Sequence, residues 1–332
     1  MKKAWIIVAI ILTALGAAIF TGALFASGFD FSRIPGGDQM MEKSWTISED
    51  FQDIDVRVRI SDVEFKASED DVSRVVARES EKVHHEVTVY NDTLKIESVE
   101  ENWKWFDLRS LFQMTPSVTV YLPKENYNKL FVSSTTGDIR IPGGFSFDEV
   151  KAEASTGDVS VAGTIRTTLS VKTSTGDITV KDFTANGMEL SASTGKITIG
   201  SGRAGYDVVP SFLSAKIGEV IVKVNTGALR MEDFACGSLE TRGNTGSIHM
   251  KNVVTRGDMV LERSTGSIHF ESCDAESGKI QIKTSTGSVR GSFKTGKTFV
   301  TQSSTGSVRV PDTDGIRCEI RTSTGSIDVT VE

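Results

Sequence analysis

Ten of the twelve Thr-Gly dipeptides in the chain follow one another at nearly constant spacing. Successive glycines lie 20, 19, 19, 32, 19, 20, 21, 19 and 19 residues apart. A period of this length, repeated so often, is typical of solenoids, in which each repeat packs on its neighbours. The glycines, which we predict to form structural turns, are Gly137, Gly157, Gly176, Gly195, Gly227, Gly246, Gly266, Gly287, Gly306 and Gly325.

Apolar and polar side chains alternate on both sides of these glycines. Leu169 and Val171 share one phase before Gly176, and Ile178 and Val180 restart the alternation after it. A period of two is typical of β-strands, and equivalent residues of stacked coils would lie about 4.8 Å apart. The sequence therefore predicts an all-β fold, a single-stranded parallel β-solenoid in which one chain winds through about ten to eleven coils.

Each Thr-Gly pair is interpreted as a corner between two strands, because glycine adopts positive φ without steric cost. We expect the threonine before each glycine to point inward, with a small residue such as Ala154 or Gly243 two positions earlier. Arg263 occupies this small-residue position. A buried arginine needs a partner, which the sequence does not identify.

The N-terminal region contains an uncharged run from residue 4 to residue 29, after Lys2 and Lys3. The run is long enough to span a bilayer, and the lysines favour a cytoplasmic N-terminus. A cleaved signal peptide is the alternative, but its apolar core usually has about 7–15 residues. We therefore predict an uncleaved transmembrane helix in residues 1–29, with the rest of this single-pass protein on the extracytoplasmic side of the cell membrane.

The remaining chain divides into three regions. Residues 30–50 read as a linker, residues 51–123 as a β cap that lacks the Thr-Gly period, and residues 124–332 as the solenoid. The long step between Gly195 and Gly227 predicts an irregular insertion near residues 200–214. No cap follows the last repeat, so we expect the coil that ends at Glu332 to be an exposed edge.

The predicted cap contains an aromatic segment. Trp103, Trp105 and Phe106 lie close in sequence to the predicted anchor. They suggest contact with the membrane or a partner. The alternative is an ordinary loop packed on the core of the cap.

The three cysteines do not suggest disulfides. Cys236, Cys273 and Cys318 follow corners that are two coils apart in a regular stack, which separates them by roughly 9–10 Å. Disulfides require Cα atoms within about 7 Å. We predict three free and mostly buried thiols.

Three aspartates directly follow successive corner glycines. Asp138, Asp158 and Asp177 should stack about 4.8 Å apart, a spacing that could serve a cation site or a glycosidase. Serine occupies the same position in later coils, which favours a turn that needs a small polar residue. The sequence shows no other nucleophile, metal or phosphate motif, so we predict no enzyme, no cofactor and no metal site.

The position three residues after each glycine forms an outward column. Five successive members of it are cationic or titratable, in a chain with a net charge of -7 that argues against nucleic-acid binding. Such a strip could bind an anionic polymer or lipid phosphate, and the two histidines could add pH sensitivity. Neighbouring acids such as Glu232 and Glu271 offer the alternative of a solvated face without function. The strip comprises Arg230, His249, His269, Arg290 and Arg309.

The combination of Ser-Thr-Gly-Asp corners, Asp53-Ile54-Asp55-Val56 and Leu122-Pro123 resembles the bacterial putative-adhesin family of β-solenoid repeat proteins. That family includes LiaG-like, membrane-anchored cell-envelope proteins of Gram-positive bacteria. The resemblance extends from about Trp45 to the C-terminus. It implies an envelope location, with a link to stress, and transfers no functional residue.

Two main functional hypotheses follow. The first is a non-enzymatic, membrane-anchored envelope protein, an adhesin-like scaffold that binds an anionic envelope polymer or a partner protein. The second is an accessory protein of an envelope-stress response, in which the cap acts on a membrane partner. A carbohydrate-active enzyme is the remote third. The sequence leaves the oligomeric state open.

Overall fold

The computed structural model describes residues 40–79, 83–100, 116–205 and 218–332. This part of the chain contains 25 β-strands and no helix. It therefore has no helix that could cross a bilayer, and the predicted anchor lies outside the described residues. Hydrogen bonds join the strands into one continuous sheet, which the corners fold into two faces.

The predicted parallel coils are present. Each coil has one strand before its corner and one after it, and each pairs in parallel with its equivalents above and below. The strands of the pre-corner face are β2 (Asp53–Val58), β8 (Asn126–Thr136), β10 (Ser146–Thr156), the second part of β11 (Val159–Thr175) and of β12 (Ile178–Thr194), β14 (Glu219–Thr226), β16 (Ser238–Arg242), β18 (Met259–Thr265), β20 (Ile280–Thr286), β22 (Lys297–Thr305) and β24 (Ile316–Thr324). The strands of the post-corner face are β3 (Asp62–Ala67), β9 (Ile139–Ile141), the first part of β11 and of β12, β13 (Ile197–Ala204), β15 (Leu229–Cys236), β17 (Ile248–Thr255), β19 (Ile268–Ala275), β21 (Val289–Phe293), β23 (Val308–Arg309) and β25 (Ile327–Val331).

The corner glycines are required by their backbone conformation and by their close stacking. Gly176 has a φ of 143°, and a Cβ atom there would lie 2.0 Å from the carbonyl oxygen of Gly157. The other nine corner glycines have the same positive φ and the same contact with the corner below. A side chain at these positions would force the coils apart.

The threonine before each corner glycine does not point inward as expected. Thr175 is exposed, whereas Thr173, two residues earlier, is buried. The Thr173 hydroxyl donates a hydrogen bond to the carbonyl oxygen of Gly157. The alternation therefore ends one residue before Thr175, because the chain already turns there.

A second corner, which the sequence reading missed, lies six residues after the glycine. Its residue adopts a left-handed conformation, with φ near 50°, and is Asp, Asn or Ser in five coils. These residues tolerate positive φ better than most. They are Asp182, Ser201, Asp233, Asn252 and Ser272.

The first coil lies inside the region predicted to be entirely cap. Strands β2 and β3 pair in parallel with β8 and β9, and Ser61 takes the place of the corner glycine, with its carbonyl group against Gly137. The solenoid therefore has eleven stacked corners, Ser61 and the ten glycines. Its start is Asp53 rather than residue 124.

The cap consists of the strands that cover this first coil. They are β1 (Met41–Ile47), β4 (Ser73–Glu79), β5 (Val83–Tyr90), β6 (Thr93–Glu100) and β7 (Ser117–Leu122). Strands β6 and β7 continue the parallel stack on β2 and β3, whereas β5 pairs antiparallel with β6, and β4 pairs antiparallel with β7 and β1. The change to antiparallel pairing ends the solenoid on this side.

The last two repeats are exchanged in space. Strand β24 pairs with β20 on one side and with β22 on the other, and β25 likewise lies between β21 and β23. The repeat that ends the chain is therefore internal, contrary to our expectation of an exposed edge. The free end of the solenoid is formed by the preceding repeat, residues 297–309.

The predicted insertion begins later than expected. Residues 200–204 belong to β13 and pair with β12 and β15, and the remainder of the predicted excursion, from residue 206 to residue 214, lies outside the described residues. The stack itself continues without a gap, because β14 pairs directly with β12. The extra residues thus lie in sequence between Gly205 and Gly218, and these two glycines pack against each other.

The cysteines and Arg263 lie inside the core. Cys236, Cys273 and Cys318 are free and buried, and burial raises the pKa of the Cys273 thiol to about 11 and that of Cys318 to about 12. Arg263 is also buried, none of its guanidinium nitrogens has a hydrogen-bond partner, and burial lowers its pKa to about 10. Its side chain lies against Gly243, which leaves space for it.

Candidate binding face

The predicted basic strip lies on the outer post-corner face. The register places Arg230 beside His249, His249 beside His269, and His269 beside Arg290. Four of the five residues therefore occupy consecutive coils, where their side chains project to the same side.

The fifth residue does not continue the strip. Because the last two repeats are exchanged, Asp328 lies between Arg290 and Arg309. The expectation of five consecutive cationic or titratable residues is wrong at this point. The carboxylate divides the strip and adds a negative charge between the two arginines.

The arginines of the strip differ in their partners. Arg230 donates two hydrogen bonds to Glu232 Oε1, at 2.8 and 2.6 Å, so its charge is largely neutralised. Neither Arg290 nor Arg309 forms an ion pair within the described ranges, and both side chains are exposed. These two guanidinium groups are the ones that remain available to an external anion.

His249 and His269 form a stacked pair at the centre of the strip. Their ring centroids are 6.1 Å apart and the rings are tilted by 58°. Partial burial, and then the proximity of His269 and Arg230, lower the pKa of His249. Below its pKa His249 adds positive charge to the strip, and above it this side chain presents an uncharged imidazole.

A ladder of serines runs beside the arginines, one residue after each corner glycine. The Ser288 backbone N–H donates to Ser267 Oγ, and the Ser326 N–H donates to Ser288 Oγ, both at 3.3 Å. Ser307 Oγ donates to Ser326 Oγ at 3.2 Å. We call Arg290, Arg309 and the serines Ser288, Ser307 and Ser326 the arginine–serine patch. Guanidinium and hydroxyl donors of this kind suit phosphate or carboxylate oxygens.

The same ladder is built from aspartates at the other end of the solenoid. The backbone N–H of Asp158 donates to Asp138 Oδ1 at 2.9 Å, and that of Asp177 donates to Asp158 Oδ1 at 2.7 Å. Asp62 Oδ1 accepts the N–H of Asp138 in the same way. Each carboxylate therefore satisfies the backbone of the next coil, which explains why these positions need a small polar acceptor.

A groove of about 620 Å³ follows the second corner across the early coils. Asp182, Ser201 and Asp233 form its rim, together with Arg203. Gly202 lies between these residues because the ring of Phe183 occupies the space of a side chain there. The groove is polar and shallow. Its signal in the sequence, a turn residue six positions after the glycine, was available but not recognised.

A buried hydrogen-bond chain joins the cap to the first coil. Ser61 Oγ lies 3.1 Å from His85 Nε2, and His85 Nδ1 lies 3.2 Å from Glu79 Oε1. The order Ser–His–Glu is that of a hydrolase triad. However, all three side chains are buried and Ser61 is completely inaccessible. These hydrogen bonds therefore hold the cap to the first coil and offer no accessible nucleophile.

The other predicted contact residues, Trp103, Trp105 and Phe106, lie outside the described residues. No group of three or more His, Cys, Asp or Glu side chains suited to a metal ion occurs in the described ranges. The site that the structure brings together is therefore the arginine–serine patch with its adjoining histidines.

Comparison with solved structures finds proteins that are similar to this chain. Three solved structures with similar folds are described as putative adhesins. The protein from Parabacteroides merdae shares 11% identity with a TM-score of 0.41, and the alignment covers 89% of this chain and 97% of that one. The corresponding values are 11%, 0.38, 88% and 98% for Parabacteroides distasonis, and 13%, 0.37, 89% and 97% for Bacteroides fragilis.

No curated protein matches the sequence. A family model does match it, over residues 51–211, and its description is Toastrack DUF4097. The match begins at the first coil and runs through the early coils of the solenoid. Residues 51–211 of the chain are thus similar to the Toastrack domain of the DUF4097 family.

Proposed function

We propose that the protein is a non-enzymatic, membrane-anchored scaffold of the cell envelope, which binds an anionic envelope polymer through the arginine–serine patch. The observation that carries the proposal is the pair of exposed guanidinium groups, Arg290 and Arg309, which have no ion pair in the described part of the chain. The other exposed arginines of the described ranges have interaction partners, such as Glu240 for Arg242 and Asp138 for Arg140.

The location follows from the sequence rather than from the described residues. The uncharged run of residues 4–29, preceded by two lysines, supports a single membrane span with the solenoid on the extracytoplasmic side. A solenoid held at its N-terminal end presents its distal coils, which carry the patch, away from the membrane.

The geometry gives no support to hydrolysis of the bound polymer. The stacked aspartates are used by the backbone, and the Ser61 hydroxyl is buried. Binding alone, strengthened by charge and weakened by salt, is what a surface with two free guanidinium groups provides.

Co-sedimentation tests this function. The full chain in detergent would be mixed with insoluble cell-wall polymer, or captured on immobilised polyphosphate, at low and high salt. The test variant is Arg290→Glu/Arg309→Glu. The control is Lys172→Glu/Lys283→Glu, which changes the net charge equally on exposed positions of the opposite face.

We expect salt-sensitive binding by the wild type and the control, and loss of binding by the test variant. An equal loss of binding in both variants, relative to the wild type, would show that net charge and not the patch attracts the polymer. Absence of binding by the wild type would reject the proposed function.

A further inference from the structure

The two ends of the solenoid differ in their edge strands and in how far the core is covered. At the free end, no coil of the described residues lies above the inward side chains of β22 and β23. Val308 is 44% exposed, whereas Ile327, which it pairs with in the coil below, is fully buried. Phe299 and Val310 are likewise only partly buried. The apolar side chains at this end of the core are therefore partly exposed.

The longer of the two edge strands at this end, β22, lacks the features that protect natural sheet edges, whereas β23 has only two residues and carries the exposed Arg309. Residues 298–305 of β22 contain no charged residue and no proline, and the register with β24 is regular up to the corner. The one charge of the strand, Lys297, is turned inside and forms a 2.6 Å ion pair with Asp274. Natural edges usually carry a lysine, a proline or a bulge to prevent pairing.

The opposite end has such protection. Its edge strands, β1 and β5, pair antiparallel with the strands beneath them. They carry exposed charges, Glu42 and Lys43 on β1 and Glu86 on β5. Within the described residues, an uncharged edge is thus confined to the C-terminal end of the stack.

We propose that two copies of this chain join end to end through β22 and β23. The two copies are related by a two-fold axis perpendicular to the solenoid axis. This rotation places β22 antiparallel to β22 of the partner subunit and does the same for β23, so that both faces of the solenoid continue across the joint. The contact is isologous and closes at two chains.

The shape of the free end favours a second copy of the chain over a single extended peptide. A single extended peptide can pair with one edge strand, but here two edge strands and the open core between them are uncovered together. A second copy has the same cross-section and supplies two edges and one apolar core face at once. Because β22 carries no exposed charge, it faces its own copy without like-charge repulsion.

The inference does not depend on the arginine–serine patch or on its ligand. The joint uses strand edges and the end of the core. It shares β23 with the patch, but the Arg309 side chain projects from the outer face and not into the core. In the joined pair the two N-terminal caps lie at the far ends of a solenoid of doubled length.

The mass of the full chain in a density-matched detergent, followed by sedimentation from nanomolar to micromolar concentration, tests the proposal. The edge variant is Val300→Lys/Val308→Lys, which introduces charge at two exposed positions of the free end. The control is Met41→Lys/Tyr90→Lys, which makes the same change at exposed hydrophobic residues of the cap.

We expect the wild type and the control to reach the mass of two chains, and the edge variant to associate at least ~10-fold more weakly because like charges then oppose each other. A wild type that stays a single chain throughout, or an edge variant with the wild-type mass, would overturn the proposal. Species larger than two chains would also overturn it, because a two-fold joint is closed.

Oxidative cross-linking of full-length Val300→Cys provides a second readout that does not require a disruptive change. The three native thiols are buried, so the background is low. We expect a covalent pair of chains from Val300→Cys and none from Tyr90→Cys. Equal cross-linking by the two variants would reflect random collision and would contradict the joint.

Discussion

Gly325 packs directly on Gly287, although 38 residues separate them in the chain. A Cβ atom on Gly325 would lie 2.1 Å from the Gly287 carbonyl oxygen, and one on Gly306 would lie 2.3 Å from that of Gly325. The three corners therefore stack in the order 287, 325, 306. This order follows the hydrogen bonds of the strands and reverses the last two repeats of the sequence.

The exchange predicts unequal costs for the same substitution. Gly325→Ala should destabilise the protein by about 3 kcal/mol or more, through an unfavourable φ and a clash inside the stack. Gly306→Ala should cost less, because the terminal coil can move outward. Thermal unfolding of the two variants checks this, and a larger loss for Gly306→Ala would contradict the order of the coils.

Arg263 should be replaceable with a gain in stability. Its guanidinium group is buried without a hydrogen-bond partner, and a folded-state pKa near 10 corresponds to a penalty of about 3 kcal/mol for the charged form. Arg263→Met should remove that penalty while it fills the space beside Gly243, and so should raise the melting temperature. Arg242→Met, at an exposed position, is the control and should have little effect. A lower melting temperature for Arg263→Met would show that the charge has a partner.

The cap should loosen in acid because of His85. Burial lowers the pKa of His85 despite the neighbouring Glu79, and His84 and Lys43 lower it further. The unfolded chain therefore binds this proton more readily. Stability from the neutral ring is complete above pH 6.5 and is lost as the pH falls below that value.

Hydrogen exchange of the cap strands as a function of pH would measure this effect. His85→Gln should flatten the pH dependence of exchange in β5 and β6, although it lowers stability at neutral pH. His84→Gln, at the partly exposed neighbouring position, should leave most of the dependence in place. An unchanged profile in His85→Gln would assign the acid sensitivity to another group.

The aspartate ladder predicts that the Asp158 carboxylate stabilises the fold through its hydrogen bond to the backbone of the next coil. Asp158→Ala removes the acceptor of the Asp177 backbone N–H and should cost about 1 kcal/mol. Asp158→Asn keeps an acceptor oxygen and should be nearly neutral. Denaturant midpoints of the two variants would measure the difference. A neutral Asp158→Ala would mean that water replaces the carboxylate at no cost.

The coils could be predicted because ten of the corners combine a positive φ with close backbone stacking, which strongly favours glycine. The first coil escaped prediction because Ser61 occupies its corner, where Asp62 and Val63 still follow as in the later repeats. The second corner escaped because Asp, Asn and Ser all tolerate its conformation, so no single letter marks it.

The exchanged repeats could not be recognised from their corners, since Ser304-Thr305-Gly306 and Ser323-Thr324-Gly325 read alike. Their inner rows differ, however. Thr301 occupies the position where the internal repeat has Ile320. The repeat with the more polar inner row lies at the free end of the stack. The candidate site inherited this error, because its fifth residue was assigned to the wrong coil.

The position of the last repeat also bears on how the protein is made. Residues 297–309 leave the ribosome before residues 316–331, yet in the finished molecule they rest on them. The native order of these coils can therefore form only after residues 316–331 have been synthesised.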